Sequence, residues 1–352
     1  MTRSVRLAAA LVALALVMLG CGRNNSSNSG PSMGAVYAGR VVLNDVAPIV
    51  RDSSSWWEGP PTFNVRPLNS STRLDEDRFG VTVRFSHVGS RESLEVEYEV
   101  WVSTSIATSF MSAYQNSLGS SLTGPKAGDQ SLYYNRNIGA GAAPYLNASY
   151  VRVGQTVISI IWSHVDAVAS TSTVGKLAVK AASRLKDAVN GKVHPSPIPT
   201  QDPLLLPPEG PDLTLLGKTV LPIEVVPQLL VYPAPEEMVT FFKQGGVNDF
   251  VFGDYAVDVD THMEINTAGF KFSSPNGAKD WIDAVYGSSS NLLSGVYLNY
   301  EQDTGQYVAA FGSGNKGVLM VCKSSALGEQ ASRSCEGPLL RMVKAWGQVL
   351  GG

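Results

Sequence analysis

The chain has 352 residues, 44% of them hydrophobic, with 27 Lys and Arg against 30 Asp and Glu for a net charge of −3. That balance excludes a nucleic-acid partner, which requires a basic stripe to neutralise phosphates. The length is enough for two domains with cores of their own.

Arg3 and Arg6 precede an apolar run from Leu7 to Leu19, too short to span a hydrocarbon core of about 30 Å comfortably. It ends in Met18-Leu19-Gly20-Cys21, and a polar stretch, Gly22 to Gly30, follows. The pattern resembles the lipobox of bacterial lipoproteins. The resemblance implies a signal peptide at 1–20 and lipidation of Cys21 as the mature N-terminus. The protein is then held by lipid at the extracytoplasmic face of the cell membrane. Loss of 1–20 removes two basic residues and no acids, leaving 25 basic and 30 acidic side chains, net −5. Charge then gives no hold on anionic lipid, so acyl chains, worth about 0.8 kcal/mol per buried CH2, carry the anchoring. Residues 21–35, rich in Ser, Asn and Gly, are expected as a disordered tether.

A first α+β domain is expected over 36–193. Phe79–Phe85 and Leu94–Val102 read as strands, the second with Leu94, Val96, Tyr98 and Val100 alternating with Glu95, Glu97 and Glu99. A helix carrying Ile106, Phe110, Ala113 and Tyr114 follows. Strands at Ser131–Asn135, Ala148–Val153 and Thr156–Trp162 come next, the last two joined at Gly154-Gln155. Val174, Leu177, Ala178, Ala181, Leu185 and Val189 recur at helical spacing and close the unit. Prolines crowd 194–235, and 194–215 is expected as a semi-rigid linker.

The second domain, 216–352, repeats the order. A helix at Pro235–Gln244, ending at Gly245-Gly246, precedes strands at Phe250–Val259 and Met263–Phe272. A helix with Trp281, Ile282, Val285 and Tyr286 begins after Ser274-Pro275. Strands at Val296–Tyr300, Tyr307–Phe311 and Val318–Cys322 lead to a last helix with Leu339, Leu340, Val343, Trp346 and Leu350. Both units read β-β-α-β-β-β-α, which predicts antiparallel sheets with helices on one face, the α+β class. The layout resembles tandem-domain extracytoplasmic lipoproteins and sensor-type domains of Gram-positive, especially actinobacterial, envelopes; it carries no catalytic residues over.

Cys322 and Cys335 are the other two cysteines, and an even pair in an exported chain reads as a disulfide. Closing the loop between them is worth about 3 kcal/mol in the chain-entropy model. Gly312-Ser313-Gly314-Asn315-Lys316-Gly317 matches a dinucleotide fingerprint, but a strand-like run follows where a helix is required, so it reads as a hairpin. Asp258, Asp260, His262 and Glu264 alternate and so share a strand face. Such a set suits a divalent ion, although a wetted strand face is the reading favoured here. His87, His164, His194 and His262 sit in unrelated contexts, and neither a nucleophile elbow nor a metalloprotease helix occurs. Trp56 and Trp57, in a Ser- and Pro-flanked loop, are candidate partner anchors or core cover.

The expected function is a non-enzymatic, lipid-anchored binding module acting on an envelope protein or ligand, without a cofactor. A carrier of a small apolar ligand or lipid is the alternative, and an envelope hydrolase a third.

Overall fold

Period-two strands and amphipathic helices assemble here into two sheets. The computed structural model describes residues 30–65, 77–137, 143–193, 205–210, 213–226, 235–257, 263–286, 296–301, 306–324 and 335–351. The chain divides into two compact units, 25–197 and 198–352.

In the first unit, helices α1 (Met33–Gly39) and α2 (Leu43–Val46) lead to short strands β1 (Trp56–Glu58) and β2 (Thr62–Val65). Then come β3 (Asp77–His87), β4 (Ser93–Trp101), α3 (Thr104–Leu118), β5 (Gln130–Asn137), β6 (Tyr145–Val153), β7 (Thr156–His164) and α4 (Thr171–Val189). The sheet runs β1-β3-β4-β7-β6-β5, with β2 also on β3, and every pairing is antiparallel. The second unit contains β8 (Leu213–Pro222), α5 (Pro235–Gln244), β9 (Asp249–Val257), β10 (Met263–Lys271) and α6 (Gly277–Tyr286). It continues through β11 (Val296–Glu301), β12 (Gln306–Ser313), β13 (Lys316–Ser324) and α7 (Glu336–Gly351). Its sheet runs β11-β12-β13-β10-β9-β8, again antiparallel.

The fold is therefore α+β, and both units contain the order β-β-α-β-β-β-α. The shared core β3-β4-β7-β6-β5 has the same neighbours as β9-β10-β13-β12-β11. Each unit adds edge pairing on its first core strand, from β1 and β2 or from β8. The hairpin turns also match. Gly154 and Gly314 have φ of 58° and 59°, and each is the first of two turn residues. That left-handed first position is the requirement of a II′ hairpin, and it fixes the register of the strands that follow. The glycine-rich run at 312–317 is thus a hairpin.

Helices cover both faces of each sheet, not one as the sequence pattern suggested. In the first unit α3 puts Ala107 and Met111 against Trp101, Leu132, Tyr134, Tyr150 and Val157. The opposite face of β4, Leu94, Val96, Tyr98 and Val100, is fully buried toward α1 and α4: Val41 N donates to Tyr98 Oη at 2.9 Å, and Arg184 Nε donates to Arg40 O at 2.8 Å. In the second unit α7 packs Leu339, Val343 and Trp346 on Tyr255, Ile265 and Met320. Phe242 of α5 and Trp281 of α6 meet Phe270 on the other face, with ring centroids 5.1 and 4.8 Å apart. Cover on both sides explains why β10 is buried from Glu264 to Phe270 without alternation.

Two boundaries differ from expectation. Ser32 Oγ accepts from Ala35 N at 3.2 Å as the N-cap of α1, so the folded chain begins inside the span expected as tether. An ion-pair cluster fastens this start: Arg40 lies 3.2 Å from Glu58, and Asp45 lies 3.2 Å from both Lys180 and Arg184. Within the expected linker, residues 205–210 are part of the second unit. Leu205 is buried, and Tyr255 Oη donates to Pro207 O at 2.7 Å. A Cβ at Gly269 would lie 1.7 Å from Leu205 O, so only glycine lets this strap cross β10. Residues 194–204 lie outside the described residues.

Candidate functional site

Buried or part-buried polar groups mark where a fold departs from hydrophobic packing, and three of the places where they gather among the described residues bear on function.

The first is an imidazole–indole cluster at one end of the first sheet. Asn147 on β6 is its centre. Its Oδ1 accepts from Ala169 N at 2.8 Å, and its Nδ2 donates to Ala169 O at 3.0 Å and to Asn135 Oδ1 at 2.6 Å. His164 Nε2 stands 2.7 Å from the same Oδ1. An amide oxygen only accepts, so Nε2 carries the proton and Nδ1 the lone pair. That Nδ1 is 3.8 Å from Glu92 Oε1. Burial, and then the Arg51 guanidinium, push the imidazole down to about 4, so it is neutral at neutral pH. Trp162 stacks obliquely on His164 at 4.7 Å, and Trp56 meets both Trp162 and His87 edge-on at 6.3 and 5.7 Å. Trp162 Nε1 and His87 Nδ1 are buried without a hydrogen-bond partner among the described residues.

The second place is the other face of β4. Glu95, Glu97 and Glu99 keep partial solvent contact there, with Arg84 paired to Glu95. Tyr114 of α3 stacks on Tyr150 at 4.2 Å. Burial, then the charges of Glu99 and Glu97, push the Tyr114 phenol up, which puts the ring beside those carboxylates. Tyr150 is pushed up to about 12, chiefly by burial.

The third is on β9 and β10, where the Asn266 side-chain amide donates to Asp254 and to Glu264 Oε1, the latter at 2.9 Å. All three residues are buried. Glu264 is therefore not on a wetted strand face, as its alternation with Asp258, Asp260 and His262 suggested, because helices cover that side of β10. Asp258, Asp260 and His262 lie outside the described residues, as do Cys21 and His194.

The anchor reading of the tryptophan pair is corrected for Trp56. It is 2% exposed and donates from Nε1 to Arg51 O at 3.0 Å, so it is interior, while Trp57 is half-buried. Cys322 and Cys335 are bonded, with Cα atoms 5.7 Å apart. The histidines judged unrelated in sequence include two, His87 and His164, that the sheet brings to one end. The legible clue was His87 and Glu92 flanking a four-residue turn; the partner strand was not legible.

No family model and no curated protein matches the chain. Among solved structures, the extracellular domain of PknH from Mycobacterium tuberculosis is similar over 45% of this chain and 98% of that one, at 11% sequence identity and a TM-score of 0.35. A likeness this distant bears no functional argument.

Proposed function

We propose that the protein is a lipid-anchored extracytoplasmic binding module that does no chemistry of its own. The observation that carries the binding reading is a contrast between matching strands. Counted from the two hairpin turns, Glu95, Glu97 and Glu99 of β4 correspond to Asn266, Ala268 and Phe270 of β10. The second set is buried beneath helices, whereas the first keeps partial solvent contact beside Tyr114. α5 and α6 bury this face of β10 in the second unit, whereas α3 covers the matching face of β4 only in part and leaves its carboxylates part-exposed, which suits a partner bearing basic groups. The bonded Cys322–Cys335 pair supports an oxidising compartment, and the lipobox-like start supports anchoring at Cys21. Among the described residues no helix is long and apolar enough to cross a membrane.

Two measurements test this. Fractionation of Cys21→Ala should move the protein out of the membrane fraction or leave its precursor uncleaved; a processed variant that stays in membranes sinks the anchoring. A photo-crosslinking residue at position 97 should give a discrete adduct in intact envelopes that the same residue at exposed Leu122 does not. Indistinguishable results at the two positions sink the binding face.

A further inference from the structure

The second unit shows how much helix the acidic face of the first can carry. Phe270, the counterpart of Glu99, meets Phe242 of α5 and Trp281 of α6, so two helices lie side by side on that face. On the matching face of the first unit α3 is the one helix among the described residues. β4 is paired on both sides, by β3 and β7, so no strand can add to it and a partner approaches from above the face. Glu95, Glu97 and Glu99 stand there in a line, half-buried and about 6.8 Å apart, with Arg84 paired to the first.

The same unit carries a surface of opposite charge. α4 has four basic residues against one acid. Val174, Leu177, Ala178, Ala181 and Leu185 are its buried side, which turns Lys176, Lys180 and Lys186 to solvent. Lys176 and Lys180 are about 6 Å apart along the axis, close to the carboxylate spacing. Val179 beside them is 41% exposed. Lys180 lies 3.2 Å from Asp45 and Lys186 3.6 Å from Asp129, yet both side chains remain about half-exposed.

α4 packs on the Tyr98 face of the sheet and the carboxylates are on the opposite one, so a single copy cannot join its own two surfaces. We propose that the first unit associates head to tail with a second copy of this chain, the lysine side of α4 in one copy resting on the Glu95, Glu97 and Glu99 line of the next. Such a contact is heterologous and leaves one surface of each kind free, so it extends into rows or rings instead of stopping at a two-fold dimer. Exposed ion pairs are weak singly. Confinement of anchored chains to one membrane plane raises the effective concentration at which they meet.

This inference rests on the binding reading of that face. It is tested by sedimentation equilibrium on the mature chain carrying Cys21→Ser, so that no acyl chain contributes. The average mass should rise with concentration in low salt and return to that of one chain in about 0.5 M NaCl, where charges are screened beyond about 4 Å. Glu97→Lys and Lys176→Glu should each weaken association at least about 10-fold, while Glu237→Lys, an exposed change in the second unit, leaves it unaltered. An equimolar mixture of the two defective variants should form a dimer and stop there. The intact α4 of one meets the intact carboxylates of the other, and each has lost its remaining surface. A chain that stays monomeric up to about 1 mM, association untouched by Glu97→Lys, or no dimer in the mixture overturns the proposal. If the crosslink at position 97 joins a different protein, the second copy is overturned and the binding face stands.

Discussion

Asn147 and Ala169 are joined by two hydrogen bonds running in opposite directions, 3.0 and 2.8 Å long. They tie β6 to the residue just before the N-cap of α4. In the second unit the bond between Cys322 and Cys335 makes the corresponding tie, from β13 to the entry of α7. One unit thus fastens its last helix through a carboxamide and the other through a covalent bridge.

Asn147→Ala should destabilise the first unit by about 2–4 kcal/mol. It strands Ala169 N, Ala169 O and His164 Nε2 in a buried setting, each a lost partner worth about 1–3 kcal/mol before relaxation. Urea unfolding followed by tryptophan fluorescence checks it. A loss below about 1 kcal/mol means water replaces the amide.

Reduction should act on the other unit alone. Opening Cys322–Cys335 is expected to cost the second unit about 3 kcal/mol. With dithiothreitol, one of two unfolding transitions should move to lower urea while the other stays. Movement of both, or neither, contradicts the assignment of the bridge to one unit.

His164 makes the first unit sensitive to acid. The unfolded imidazole takes up its proton near pH 6.5, the folded one only near pH 4. Between those values the unfolded chain binds more protons, so stability falls as pH drops through that window and levels off below it. Urea midpoints at pH 7, 5.5 and 4.5 should decline more steeply in the wild type than in His164→Gln. Equal slopes would remove His164 as the cause.

Gly269→Ala should dislodge the 205–210 strap. The new Cβ meets a backbone carbonyl, which cannot rotate aside, so a loss of about 3 kcal/mol or more is expected in the second unit. Limited proteolysis should gain a cut within 205–210. An unchanged digestion pattern would show that the strap shifts at little cost.

The strands and long helices were legible because their periodicity is a local property. Leu94, Val96, Tyr98 and Val100 announce a buried face whatever lies above them. The opposite face was not legible, since nothing in Glu264 or Asn266 says that a helix will cover them. The segment around Trp56 reads as a loop because three-residue β1 takes its pairing from β3 rather than from its own pattern. The meeting of His87, Glu92 and His164 at one end of the sheet was hidden for a related reason. It depends on the register of β4 against β7, which joins residues about seventy positions apart in sequence.

The clamp of α1 and α2 onto the first unit sets a reach. Cys21 precedes the Ser32 cap by eleven residues. A fully extended chain spans at most about 3.6 Å per residue, so the leash is no longer than about 40 Å. For a chain held at Cys21, the capped start of the first unit stays within that distance of the anchor. Partners farther into the envelope must come to it, and lengthening the 22–31 segment enlarges the volume searched without altering a contact in the fold.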